Sequence, residues 1–190
     1  IVNFETTSQR DSILDITLAG RFIYKNDSAL VYLDNSNVDI YNKSWILKKT
    51  KSPNLIYSNG VTEFRYFDFR NGGEILFVDA SIGYKADKVN ANLINFKLGN
   101  LTPFLAGYDI NLEGTTNGYI DVSDRDGYPI IETDLVIDNL KLDGDTLGNL
   151  EISSVSQADL LAVAIDGKIN GGLLNDMEII GDIDFKSKTS

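Results

Sequence analysis

Residues 131–137 read Ile-Glu-Thr-Asp-Leu-Val-Ile, and this stretch decides the fold class. Ile131, Leu135 and Ile137 recur at even spacing with Thr133, so all four share one face of an extended chain, while acidic residues alternate with them. A period of two is typical of a half-buried β-strand, whereas an amphipathic helix repeats every 3.6 residues. Pro129 stands just before the stretch, where a strand tolerates a missing N–H. The segment therefore predicts a strand.

The same period occurs in 12–19, 61–69 and 160–165, which predicts further strands. In 61–69 the alternation puts Phe64 and Tyr66 on one face and Phe67 and Phe69 on the other. Asn-Gly or Asp-Gly pairs supply the positive φ angles that tight hairpins need, and they begin at seven positions: Asn59, Asn71, Asn117, Asp126, Asp143, Asp166 and Asn170. Together these features predict an all-β meander of antiparallel hairpins.

One segment departs from the strand pattern. Residues 91–106 place leucines and a phenylalanine at helical spacing, and Thr102 before Pro103 resembles an N-cap followed by proline at the first helical position. The sequence therefore predicts one short helix within 101–106. We interpret it as a plug packed on the open end of a sheet rather than as a ligand site.

Composition excludes several function classes. The 190 residues contain 17 Lys+Arg and 28 Asp+Glu, for a net charge of −11, and they contain neither His nor Cys. Without these two residue types there is no Ser-His-Asp or Cys-His catalysis, no disulfide and no zinc site of the Cys/His kind. The acidic balance argues against nucleic acid, because that binding depends on clustered Lys and Arg. We expect no catalytic residue, cofactor or metal, and hence no enzyme.

Carboxylates are the remaining candidates for chemistry. Asp121, Asp124 and Asp126 precede a glycine, but an EF-hand would need an acid at position 122 and Glu at 133, which hold Val and Thr. A looser calcium site at Asp124 and Asp126, or at Asp143 and Asp145, stays open. Glycoside hydrolysis needs one selected carboxylate pair, and the sequence singles out none.

Aromatic residues are concentrated in one third of the chain. They are Tyr57, Phe64, Tyr66, Phe67, Phe69, Phe77 and Tyr84. Because they fall on both faces of the predicted strands, we interpret them as core or cross-strand packing rather than as sugar-stacking platforms.

The later half of the chain carries an ordered series of degenerate motifs. The series is Phe96-x-Leu98, Leu101-x-Pro103, Ile110-x-Leu112-x-Gly114, Asn117-Gly118-x-Ile120-x-Val122, Pro129-x-Ile131, Leu135-x-Ile137-x-Asn139-Leu140, Gly144 and Leu147-Gly148-x-Leu150-x-Ile152. In this order it resembles the conserved C-terminal region of the translocation and assembly module (TamB) family, within the AsmA-like superfamily. The resemblance covers about residues 92–184. We expect residues 1–90 to form an aromatic-rich β part and residues 91–190 the part that resembles the family, within a single fragment of a longer protein.

The resemblance implies an elongated, curved antiparallel sheet, a β-taco or trough, with an apolar concave interior and a polar exterior. It also implies a periplasmic, envelope-spanning location, with the full-length protein anchored in the inner membrane and meeting an outer-membrane barrel partner. The implied partners are phospholipid or nascent outer-membrane β-strands, which the trough shields during transfer to the outer membrane. No apolar run in the sequence approaches the ~20 residues of a membrane-spanning helix.

We expect the groove to be lined by nine apolar residues: Ile120, Val122, Ile131, Leu135, Ile137, Leu147, Ile152, Val163 and Ile165. Each of them also suits the closed core of a β-sandwich. The alternative function is therefore a sandwich or solenoid binding module, such as an adhesin or a carbohydrate-binding domain.

Overall fold

The computed structural model describes residues 1–10, 14–40, 43–83, 87–125, 128–157 and 162–184, and within these ranges the side chains of residues 9, 10, 106, 125 and 157 are not described. The predicted all-β, antiparallel fold is confirmed: the described residues form thirteen strands and one four-residue α-helix. The chain divides into two compact units, Ile1–Ala91 (unit 1) and Asn92–Ser190 (unit 2).

Unit 1 is an antiparallel meander. Its strands are β1 (Val2–Arg10), β2 (Leu14–Lys25), β3 (Ser28–Ile40), β4 (Lys43–Leu47), β5 (Leu55–Ser58), β6 (Val61–Asn71) and β7 (Glu74–Ile82), and the unit also includes the first residues of β8 (Lys88–Lys97). β4 and β5 both lie between β3 and β6, each pairing with one half of those longer strands. Leu33, Trp45 and Leu47 form the most buried apolar positions of this unit.

The loop 48–54 separates β4 from β5, so part of β3 faces β6 with no strand between them. Asn54, at the end of this loop, bonds to both strands. Asn54 is 1% exposed, and its Oδ1 accepts a hydrogen bond of 3.0 Å from the N–H of Leu33 on β3. Its Nδ2 donates to the carbonyls of Arg65 (3.3 Å) and Tyr66 (3.4 Å) on β6. Its backbone N–H donates to Val31, and its carbonyl accepts from Arg65. Asn54 therefore joins β3 to β6 where no strand lies between them.

A β-bulge in β6 overturns the predicted alternation of its aromatic residues. Phe64 pairs with Ala80 and Phe67 with Val78, so three steps on β6 match two on β7, and Tyr66 adopts a φ of +61°. Because of the extra residue, Phe67 and Phe69 lie on the same face as Phe64, not on the opposite face as predicted. Their rings form a row with centroids 6.0 and 6.1 Å apart. Tyr84 lies outside the described residues.

Unit 2 continues the meander in chain order. It contains the rest of β8, then β9 (Leu112–Arg125), β10 (Tyr128–Leu142), β11 (Asp145–Gln157), β12 (Ala162–Asn170) and β13 (Met177–Asp184). The helix α1 (Thr102–Leu105) lies between β8 and β9, inside the predicted range, and 3₁₀ turns flank it at Leu98–Asn100 and Ala106–Tyr108. A third such turn, Gly172–Leu174, joins β12 to β13.

The Gly-containing pairs do not all form hairpins. Those at Asn59, Asn71 and Asp143 form tight turns, and the one at Asn170 ends β12, but those at Asn117 and Asp166 lie inside strands. The pair at Asp126 lies outside the described residues. A strand interior accepts glycine where another backbone approaches closely, and at Gly118 an added Cβ would collide with the carbonyl oxygen of Asp134.

Candidate apolar binding face

The register of unit 2 collects apolar side chains on one side of five strands. Residues directly opposite each other in an antiparallel pair point to the same face. Ile131 pairs with Val122, Leu135 with Ile152, and the series continues across β12 to β13. We call the resulting set the apolar face: Ile120, Val122, Ile131, Leu135, Ile137, Leu150, Ile152, Val163, Ile165, Ile169, Met177, Ile179 and Ile183.

Most of the apolar face is half-buried rather than sealed. Val163 and Ile169 are 1% and 3% exposed and Ile183 is 45% exposed, whereas the other ten members keep intermediate exposure. The described strands of unit 2 follow a single path, β8 to β13, so this part of the unit contains no second sheet to cover the face. From β9 to β13 the face is about 19 Å wide, and 131–137 extends over about 20 Å. Its footprint of about 400 Å² falls in the range of the largest apolar patches of soluble monomers, which are often functional.

The polar atoms on this face are satisfied within the sheet. The hydroxyls of Thr133 and Ser154 lie 3.0 Å apart. Ser156 Oγ accepts from the N–H of Ile131 at 2.7 Å and lies 3.3 Å from its carbonyl oxygen, to which it donates. A ligand on this face therefore meets CH groups rather than polar atoms that lack partners.

The opposite face of unit 2 is acidic. Its exposed carboxylates are Glu132, Asp134, Asp138, Glu151, Asp166, Glu178, Asp182 and Asp184. Lys168 lies among them, and the exposed apolar residues Val155 and Ile180 are scattered between them. This face is well hydrated, so the two faces of the sheet differ sharply in polarity.

Local irregularities bend the strands that form the apolar face. Asn139 has a φ of +54°, its N–H donates to Asn149 Oδ1 at 2.9 Å, and the register of β10 shifts beside it. Asn117 similarly accepts from the N–H of Asn95, whose φ is +50°. Bulges of this kind increase twist and bend a strand. The Asn117-Gly118 pair therefore lies inside β9, where Asn117 bonds to β8, rather than in a hairpin turn.

Eight of the nine residues predicted to line a groove belong to the apolar face. The register assigns Leu147 to neither face, because Leu140 pairs with Gly148 and Lys141 with Thr146, which leaves Leu147 as the extra residue of a bulge. The prediction also missed Leu150, Ile169, Met177, Ile179 and Ile183. Their signal was available, since each continues the period of two on its own strand.

Two of the carboxylates considered for calcium, Asp121 and Asp124, lie on different faces of the sheet. Asp121 pairs with Glu132 on the acidic face, whereas Asp124 pairs with Pro129 on the same side of the sheet as the apolar face. Asp126 is not described, and Asp143 Oδ1 accepts a hydrogen bond of 2.9 Å from the N–H of Asn111. In the ranges given above, no three potential ligands group together.

The clearest electrostatic perturbation lies in unit 1. Arg70 donates two hydrogen bonds of 2.9 Å to the Asp68 carboxylate, and Lys48 lies 3.7 Å from it. The hydrogen bond from Arg70 lowers the pKa of Asp68 below its ordinary value, although partial burial opposes this effect. Asp68 and Arg70 alternate with Phe67 and Phe69 along β6. They form a structural ion pair rather than a reactive group.

Among the described residues, no helix has the length and apolar character needed to cross a bilayer. Comparison with protein-family models, curated proteins and solved structures finds no match for this chain.

Proposed function

We propose that this chain is a segment of an envelope-spanning conduit or chaperone. Its apolar face shields lipid acyl chains or outer-membrane protein strands during transfer to the outer membrane. The observation that carries the proposal is a half-buried apolar face, about 400 Å² in footprint, opposite an acidic, hydrated face. The resemblance of residues 92–184 to the TamB family supports the same function, including a periplasmic location and an outer-membrane barrel partner.

Energetics favour an apolar cargo. Burial of about twelve methylenes at roughly 0.8 kcal/mol each gains about 10 kcal/mol before the cost of ordering the chain. Thr133, Ser154 and Ser156 need no partner from the cargo because they already bond within the sheet. Chemistry on the cargo is not required, so the function is transfer rather than catalysis.

The proposal is tested at two neighbouring positions on β10. Leu135 belongs to the apolar face, whereas Val136 lies on the acidic face and is 39% exposed. Leu135→Arg should weaken binding of a pyrene-labelled phosphatidylethanolamine by at least about tenfold, equivalent to 1.4 kcal/mol. Val136→Arg, the matched control, should leave binding unchanged. Both variants should stay folded, because a long Arg on a half-buried face can extend its guanidinium into water.

A closed core predicts a different result. There Leu135→Arg would bury an unpaired guanidinium at a cost of several kcal/mol, and the domain would not fold. A photocrosslinking residue at position 135 in the full-length protein distinguishes the cargo: adducts with phospholipid indicate lipid, and adducts with outer-membrane proteins indicate strands. Crosslinks confined to the chain itself, together with an unfolded Leu135→Arg variant, would overturn the proposal.

A further inference from the structure

A cleft in unit 1 is lined by residues on both sides of the bulge in β6 and by residues of β7 and β8. The cleft has a volume of about 430 Å³, within the range of small-molecule sites. It is lined by Glu63, Phe64, Arg65, Tyr66, Asp79, Ala80, Ser81, Lys88 and Asn90. Every residue of this lining belongs to unit 1, and none belongs to the apolar face of unit 2.

Tyr66 is held in this cleft at a conformational cost. A φ of +61° is unfavourable for a bulky residue and costs on the order of 1–3 kcal/mol unless its surroundings fix it. Two contacts fix it: the N–H of Tyr66 donates to Asp79 Oδ1 at 2.6 Å, and its carbonyl accepts from buried Asn54. The ring that this conformation positions is 44% exposed. Strained residues of this kind are concentrated at ligand sites.

The charges of the lining balance. Glu63 forms an ion pair with Arg65, and Asp79 and Lys88 add one charge of each sign. An anion would meet two carboxylates and a cation would meet Arg65 and Lys88, so neither sign is favoured. The lining instead offers carboxylate acceptors, cationic donors and the Ser81 hydroxyl, a mixture that suits groups which both donate and accept hydrogen bonds.

We propose that the Tyr66 cleft binds a neutral saccharide. A pyranose combines an apolar CH face, which can pack on an exposed aromatic ring, with hydroxyls at its rim that match alternating donors and acceptors. An acyl chain is a poorer match, because four charged side chains, Glu63, Arg65, Asp79 and Lys88, interrupt the wall. The site is independent of the shielding function proposed for unit 2, and either proposal can fail without the other.

The test uses saturation-transfer difference NMR of the intact chain with three neutral probes, maltotriose, cellotriose and chitotriose. At least one probe should bind. Tyr66→Asn should weaken that binding by at least about tenfold, because it removes the ring while Asn accepts a positive φ and preserves the bulge. Tyr57→Asn, which removes a comparably exposed ring (48%) elsewhere in unit 1, should leave binding unchanged.

A second variant, on a different strand, tests whether loss of binding results from loss of the cleft rather than from unfolding. Ser81→Phe fills the cleft from β7 without altering the bulge, and it should abolish binding as well. The proposal is overturned if none of the three saccharides binds the native chain at millimolar concentration. It is equally overturned if binding survives both Tyr66→Asn and Ser81→Phe.

Discussion

Replacement of Asn54 by Ala should selectively destabilise unit 1. The side chain is 1% exposed and joins β3 to β6 through three hydrogen bonds. Its loss leaves the N–H of Leu33, in a residue only 6% exposed, without an acceptor, which costs about 1–3 kcal/mol. The longer bonds to the carbonyls of Arg65 and Tyr66 add less, because both residues are exposed. We expect a total loss of about 2–4 kcal/mol.

The assay exploits the single tryptophan of the chain. Trp45 lies in unit 1 and is 3% exposed, so its fluorescence reports the unfolding of that unit. With a urea m-value of about 2 kcal/mol/M, the midpoint should fall by about 1–2 M. Asn3→Ala, at an exposed position of β1, is the matched control and should leave the midpoint unchanged. A midpoint for Asn54→Ala that equals the control would refute the role of Asn54 as the link between β3 and β6.

Three further outcomes are expected. Gly118→Ala should cost at least about 2 kcal/mol, measured by thermal unfolding, because φ is +134° and the new Cβ meets backbone of β10; an unchanged melting temperature would contradict this. Asp15 lies directly opposite Asp39, and the Oδ1 atom of each is buried with no partner among the described residues. Asp15→Asn should therefore stabilise the chain by up to about 1 kcal/mol at low salt, and destabilisation would count against the repulsion. The pKa of Asp68 is lowered by Arg70, so the pair contributes stability above the ordinary pKa and loses it as pH falls through the lowered one. Arg70→Gln should thus be less stable than the native chain at neutral pH, and this difference should shrink below about pH 4; a constant difference would disprove the linkage.

Hydrophobic periodicity predicted the strands and most of the apolar face because both depend on local sequence. Alternation along 131–137 assigns faces without knowledge of the partner strand, and the observed register agrees with it. The same rule extended along β11 and β12 would have added Leu150 and Ile169. Leu147 lies an odd number of positions from Ile152, so strict alternation does not group the two residues, and the bulge in β11 leaves Leu147 without a pairing partner that would assign its face.

Features that depend on distant residues were not predictable in this way. The bulge at Tyr66 is fixed by Asn54, twelve positions earlier, and by Asp79, thirteen positions later. Nothing within 61–69 distinguishes it from a regular strand. Asn117-Gly118 is locally a good hairpin signal, but its backbone lies against β10, and that close approach requires glycine in mid-strand.

The chain-order pairing of the strands bears on how the protein folds. Within each unit, nearly every strand pairs with the one before it, so each new hairpin closes a short loop and can form as soon as its second strand is available. Pairing between consecutive strands gives this fold a lower contact order than that of Greek-key β-folds, which favours faster folding. The exception is the gap between β3 and β6, where residues 31, 33, 54, 65 and 66 must meet together. We expect this junction to form late and to limit the folding rate of unit 1, whereas unit 2 can add strand after strand as the chain emerges during synthesis.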